Sequence, residues 1–173
     1  MLRKPIIGVI GGGSTATDEG VKLAEEVGFL IARADAILVC GGLNGVMEAA
    51  AKGARRAGGL TVGILPTGNK GDANPYIDIP VATAMSTARN LIIVRTADAL
   101  IAVNGSYGTL SEMAHAFDLG KTVFGLHTWP MDQAGVEGTL FIQVSSPRDA
   151  VERALAYARQ AIASEGPAEG FRK

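Results

Sequence analysis

A chain with one cysteine, Cys40, among 173 residues can close no intrachain disulfide and cannot build a tetrathiolate zinc site. Two histidines, His115 and His127, are as few for a metal centre, and no further ligand set accompanies them. No sign of charge dominates either. The 16 basic and 17 acidic residues leave a net charge of -1, which gives no field to gather a nucleic acid polymer or an anionic membrane. Apolar runs such as 91–94 are soon cut by charge, and Met1 to Pro5 leads straight into a strand, so neither a membrane span nor an export signal is expected. Together these absences predict a cytoplasmic protein that needs no cofactor for catalysis.

Glycine is what the chain has in excess. Its 23 glycines cluster at Gly11-Gly12-Gly13, Gly41-Gly42, Gly58-Gly59 and Gly105, each beside an apolar run, which is the pattern of turns. The β-branched runs 6–10, 36–39, 61–65 and 100–103 suit strands buried on both faces, with two more strands near 123–126 and 140–144. Between them, 17–33, 46–57, 87–96 and 110–119 carry apolar residues at helical spacing, and Pro147 opens a last helix to about Ala163. This alternation predicts an α/β fold: one doubly wound, Rossmann-like domain over 1–173, with a mostly parallel sheet and helices on both faces. Ligands in such sheets sit at the carboxyl ends of the strands. Residues 66–80 form the longest irregular stretch and read equally as a lid or a solvated connection, and 165–173 read as a frayed tail.

Three strand-to-helix turns are built to meet a phosphate. Gly11-Gly12-Gly13-Ser14-Thr15-Ala16 satisfies the G-x-G-x-x-A pattern, in which bare backbone amides and a helix N-terminus face the anion and Ser14, Thr15 or Thr17 can add hydroxyl donors. Gly41-Gly42-Leu43-Asn44-Gly45 repeats that logic after the second strand, and Asn104-Gly105-Ser106-Tyr107-Gly108-Thr109 repeats it again. No acidic residue ends the second strand to grip a ribose, so a nicotinamide dinucleotide is disfavoured.

Arg89 falls in the first turn of a helix that Ser86 or Thr87 would cap. A cation there opposes the helix dipole by about 0.3–1 kcal/mol, a conflict that a bound anion removes, so Arg89 is read as a phosphate clamp. Thr109-Leu110-Ser111-Glu112 reads as a capping box with Glu112 bonding back to the cap, unless glycosidic chemistry recruits its carboxylate. Cys40 reads as a small buried residue, and Trp129 and Tyr107 as either heterocycle-stacking rings or loop anchors.

At Gly41-Gly42 with Gly45-Val46-Met47-Glu48, at 85–90 from Met85 to Asn90, and at Gly105 with Gly108-Thr109-Leu110-Ser111-Glu112, the chain resembles the Rossmann-like superfamily once labelled lysine decarboxylases. That superfamily includes the cytokinin-activating phosphoribohydrolases and the molybdenum cofactor carrier proteins. Gly45 to Ala50, 62–66 and Ala88-Arg89-Asn90 look most like the carrier branch, which holds a phosphorylated pterin with its metal and performs no turnover. The alternative implied by resemblance is hydrolysis of a nucleoside 5'-monophosphate, with Arg89 and Glu112 as the catalytic pair. The chain departs from the hydrolases in Asn104-Gly105-Ser106 and at Asn90. The resemblance further implies a homodimer or homotetramer, a small phosphorylated ligand as partner and the molybdenum cofactor as cargo. No lysine is placed for a pyridoxal phosphate Schiff base, so decarboxylation has no support.

Overall fold

The computed structural model describes residues 3–129, 131 and 140–164; the expected frayed tail at 165–173 lies outside them. Its elements follow in the order β1 (Ile6–Gly11), α1 (Asp18–Arg33), β2 (Ile37–Cys40), α2 (Val46–Arg56), β3 (Thr61–Leu65), β4 (Ile79–Ala82), α3 (Asn90–Thr96), β5 (Ala99–Val103), α4 (Tyr107–Asp118), β6 (Val123–Leu126), β7 (Phe141–Val144) and α5 (Pro147–Ser164). Two 3-10 turns, Lys70–Asp72 and Ser86–Arg89, precede β4 and α3. The strands form one parallel sheet in the order β4-β3-β2-β1-β5-β6-β7. This is the doubly wound α/β architecture that the alternation implies.

The side-chain period of two divides the apolar strand residues between two cores. Ile7, Val9, Leu38, Ala99, Ile101 and Val103 face α1, α2 and α5. Ile10, Val39, Ile64, Leu100 and Ala102 face α3 and α4. Strands covered on both sides have no polar face, which is why they read as continuous β-branched runs. Between β1 and β5 the strand order reverses, so the loops leaving these neighbours diverge and open a crevice at their carboxyl ends.

Two segments differ from the sequence reading. β4, inside and just beyond the stretch taken as irregular, is an edge strand pairing with β3 from Val62–Ile79 to Leu65–Ala82, and Pro80 is tolerated there because an edge leaves one row of amides unpaired. The rest of that stretch is tied down: the Asn74 backbone N–H donates to Gly42 O at 2.9 Å and its side-chain amide to Leu43 O at 2.8 Å. The other difference is at α3, which begins at Asn90 behind the 3-10 turn, with no side-chain cap from Ser86 or Thr87. Its far end is held instead, where Lys121 Nζ donates to the carbonyls of Val94, Arg95 and Ala97. Among the described residues no helix is long and apolar enough to cross a membrane.

Candidate functional site

The three glycine turns converge as their spacing implies, at the ends of β1, β2 and β5. Gly45 has φ +67° and ψ -129°, and a Cβ there would lie 2.1 Å from Gly13 O, so the second turn packs backbone to backbone on the first. Val46 N–H donates to Gly12 O at 3.0 Å and locks that corner. Among the described residues, four of the five non-glycine ones with positive φ, Ala84, Ser86, Asn104 and His127, also follow strands at this carboxyl edge. Strained backbone gathers where function fixes geometry.

The turns do not contribute equally. At the first, Thr17 Oγ1 accepts from Gly20 N–H at 3.0 Å and Asn104 Oδ1 from Thr17 N–H at 3.4 Å, so the α1 N-terminus is satisfied by the protein itself. Ser14 and Thr15 are exposed, and Gly12 is buried beneath the turn. At the third turn the N-terminus of α4 is closed by a capping box between Ser106 and Thr109, and Ser106, Gly108 and Thr109 help to line a cavity of about 140 Å3.

Nine of the sequence-predicted residues line this cavity: Gly11, Gly13, Gly41, Arg89, Asn90, Ser106, Gly108, Thr109 and Glu112. Gly12, Ser14, Thr15, Gly42, Asn44, Gly45, Met85, Gly105 and Tyr107 do not. Gly42, Gly45 and Gly105 shape the turns from behind, and Asn44 instead lines a neighbouring hollow of about 340 Å3 with Glu48, Asp72 and Asn74. Tyr107 is 90% exposed and Met85 46%, so neither ring nor thioether reaches the cavity. Trp129 packs its ring edge against Gly105 and is half exposed, so it anchors its loop while leaving one part of the ring free. Val9, Ile10 and Met47 complete the cavity; apolar positions in buried strands carry no signal that separates wall from core.

Glu112 overturns the capping-box reading. The helix begins three residues earlier than its apolar spacing suggests: Ser106 is the N-cap, and its N–H donates to Thr109 Oγ1 at 3.2 Å, which puts Thr109 in the N3 role. Glu112 therefore lies a turn inside α4, is 6% exposed, and points at Arg89, whose Nη1 is 3.5 Å from its Oε1. Arg89 itself is 8% exposed. Its Nη1 donates to Asn90 Oδ1 at 2.8 Å, its Nη2 lies over Gly41 so that a Cβ there would be 2.7 Å away, and its Nε has no partner among the described residues. A guanidinium keeps its charge even so.

Desolvation raises the Glu112 carboxyl to about 7, with Arg89 opposing. Beneath the pair, burial pushes the Cys40 thiol up to about 12, against the Gly42 amide and Arg89, so Cys40 stays neutral and packs. The site thus pairs one fixed cation with one carboxyl poised near neutrality. Among the described residues no group of three or more His, Cys, Asp or Glu gathers as a metal site.

The SLOG cluster4 family model matches residues 4–155. The structure of the molybdenum cofactor binding protein from the phototrophic bacterium Rippkaea orientalis superposes with a TM-score of 0.81 at 40% identity, covering 88% of this chain and 96% of that one. The molybdenum cofactor carrier protein of Chlamydomonas reinhardtii gives 0.80 at 34% identity, over 93% of this chain and 99% of that one. A probable cytokinin riboside 5'-monophosphate phosphoribohydrolase of Oryza sativa subsp. japonica is 29% identical over 124 residues, which are 70% of this chain and about half, 52%, of that protein.

Proposed function

The chain belongs to the SLOG cluster4 family, and from that premise we propose that it is a carrier of the molybdenum cofactor, which grips the phosphate of the pterin at the cavity under α4 and performs no turnover. The observation that carries this reading is the size and charge of the cavity. Ligand sites commonly span roughly 300–1,000 Å3, whereas this one encloses about 140 Å3 around a buried guanidinium whose Nε has no partner among the described residues. It fits one anionic end of a ligand, and the heterocycle would lie outside, along the carboxyl edge. The likeness to a cofactor binding protein and a carrier protein over nearly the whole of each chain supports that cargo.

Phosphate held by a guanidinium and by the amide of Gly108 gains charge-assisted bonds of about 1.5–3 kcal/mol each. Arg89→Ala is therefore expected to weaken molybdopterin binding by about 30-fold or more, and Arg89→Lys to restore part of the loss because it returns the charge without the fork. Isothermal titration of a molybdopterin preparation checks both; equal affinities for wild type and Arg89→Ala would refute the clamp.

One observation favours a second reading, hydrolysis of a nucleoside 5'-monophosphate. A carboxyl raised to about 7 beside the phosphate grip is suited to stabilising a developing oxocarbenium ion or to protonating a leaving base. Native mass spectrometry of the protein with AMP separates the two and reads the homodimer or homotetramer directly. A carrier leaves AMP intact, and release of adenine and ribose 5-phosphate would make the chain a hydrolase with Glu112 and Arg89 as its catalytic pair.

A further inference from the structure

Glu112 and Arg89 meet in the cavity without satisfying each other. Their closest atoms are 3.5 Å apart, both side chains are about nine-tenths buried, and Arg89 spends Nη1 on Asn90 while its Nε finds no partner among the described residues. Among the described residues no amide or hydroxyl donates to the Glu112 carboxylate. A buried carboxylate is ordinarily braced by several donors.

An anion entering so small a volume lies close to both groups, drawn by Arg89 and repelled by a charged Glu112. A proton on Glu112 removes the repulsion and turns the carboxyl from an acceptor into a hydrogen-bond donor toward the anion. Resting on the reading of the cavity as a phosphate grip, we propose that its anion is taken up together with one proton, which comes to rest on Glu112.

Among the described residues no other group rivals Glu112 for that proton. The other ionisable groups facing Glu112 are Arg89, from the 3-10 turn, and Cys40, from the end of β2, which is already neutral. The remaining wall, from β1, α2 and the third turn, is glycine, apolar or hydroxyl-bearing. His115 lies one turn further along α4 and His127 pairs with Glu19 outside, and neither lines the cavity. Desolvation leaves the Glu112 carboxyl at about 7, so the exchange falls near neutral pH.

Sulfate is the probe of choice, since its own charge is constant over this range. Titration calorimetry at pH 8 in two buffers of different ionisation enthalpy is expected to show close to one proton taken up per sulfate bound by the wild type. Affinity is expected to fall about tenfold per pH unit above pH 7 and to level off below it. Glu112→Gln is expected to bind sulfate with no proton uptake and equal affinity at pH 6 and 8, while His115→Gln keeps the wild-type uptake. Sulfate binding by the wild type without buffer-dependent heat, or uptake that persists in Glu112→Gln, would overturn the proposal and leave the phosphate grip standing. Absence of binding at every pH in every form would overturn the grip and the proposal together. If Glu112→Gln does not fold, the wild-type proton count decides alone.

Discussion

Gly45→Ala is expected to cost about 3–5 kcal/mol of stability and to abolish anion binding. Two effects add. The backbone at φ +67° and ψ -129° is open essentially to glycine alone, and holding another residue there costs about 1–3 kcal/mol. The new methyl would also meet Gly13 O at 2.1 Å and Gly12 O at 2.5 Å, both backbone atoms that cannot rotate away, and overpacking of this kind costs about 1–3 kcal/mol more. Relief requires the first and second turns to part, which moves Gly11, Gly13 and Gly41 off the cavity wall. Gly58→Ala is the matched control: φ is +75° but no atom lies within 4 Å of the added Cβ, so only the backbone term of about 1–2 kcal/mol applies. Urea unfolding of the two variants measures the difference, and equal losses would show that the corner is not packed as described.

The second large effect is one of pH. A carboxyl raised from about 4.5 in the unfolded chain to about 7 in the folded one favours the folded state most when it is protonated. The stability it contributes is fully present below about pH 4.5 and is lost as pH rises through about 7, a change of about 3 kcal/mol. Glu112→Gln fixes the neutral form, so it is expected to be more stable than wild type by about 3 kcal/mol at pH 8.5, with the advantage shrinking toward zero by about pH 4.5. Denaturant midpoints across that range test this, and a wild type at least as stable as the variant at pH 8.5 would mean that Arg89 compensates the carboxylate in full.

Much of this architecture is legible in the residues because buried strands and glycine turns carry strong local signals. The runs 61–65 and 123–126 match β3 and β6 end for end, and the helical stretch 17–33 matches α1 to within the one residue, Thr17, that serves as its N-cap. The signals fail where local and tertiary preferences compete. Ile79 and Val81 of β4 are exposed on an edge and Pro80 interrupts them, so nothing in those four residues reads as a buried strand. Glu112 illustrates the same competition at the site. Thr109-Leu110-Ser111-Glu112 is a sound cap pattern in isolation, but Ser106 and Thr109 form the cap one turn earlier, and the displaced glutamate is carried into the core to face Arg89. That encounter joins α4 to a turn lying between β4 and α3, and no periodicity within either segment announces it.

The order of the strands also sets when the site comes into being. Its walls are drawn from the ends of β1, β2 and β5, from the turn that carries Arg89, and from α4, so Val9 and Glu112 must both be in place before the cavity encloses anything. Parallel pairing joins such distant segments late, after long crossovers have closed. A ligand of this cavity consequently finds its site in the folded chain and not in the unfolded one. It weights the native state by one plus the ratio of its free concentration to Kd, so each tenfold rise in that concentration beyond saturation adds about 1.4 kcal/mol to stability although the cavity is already full.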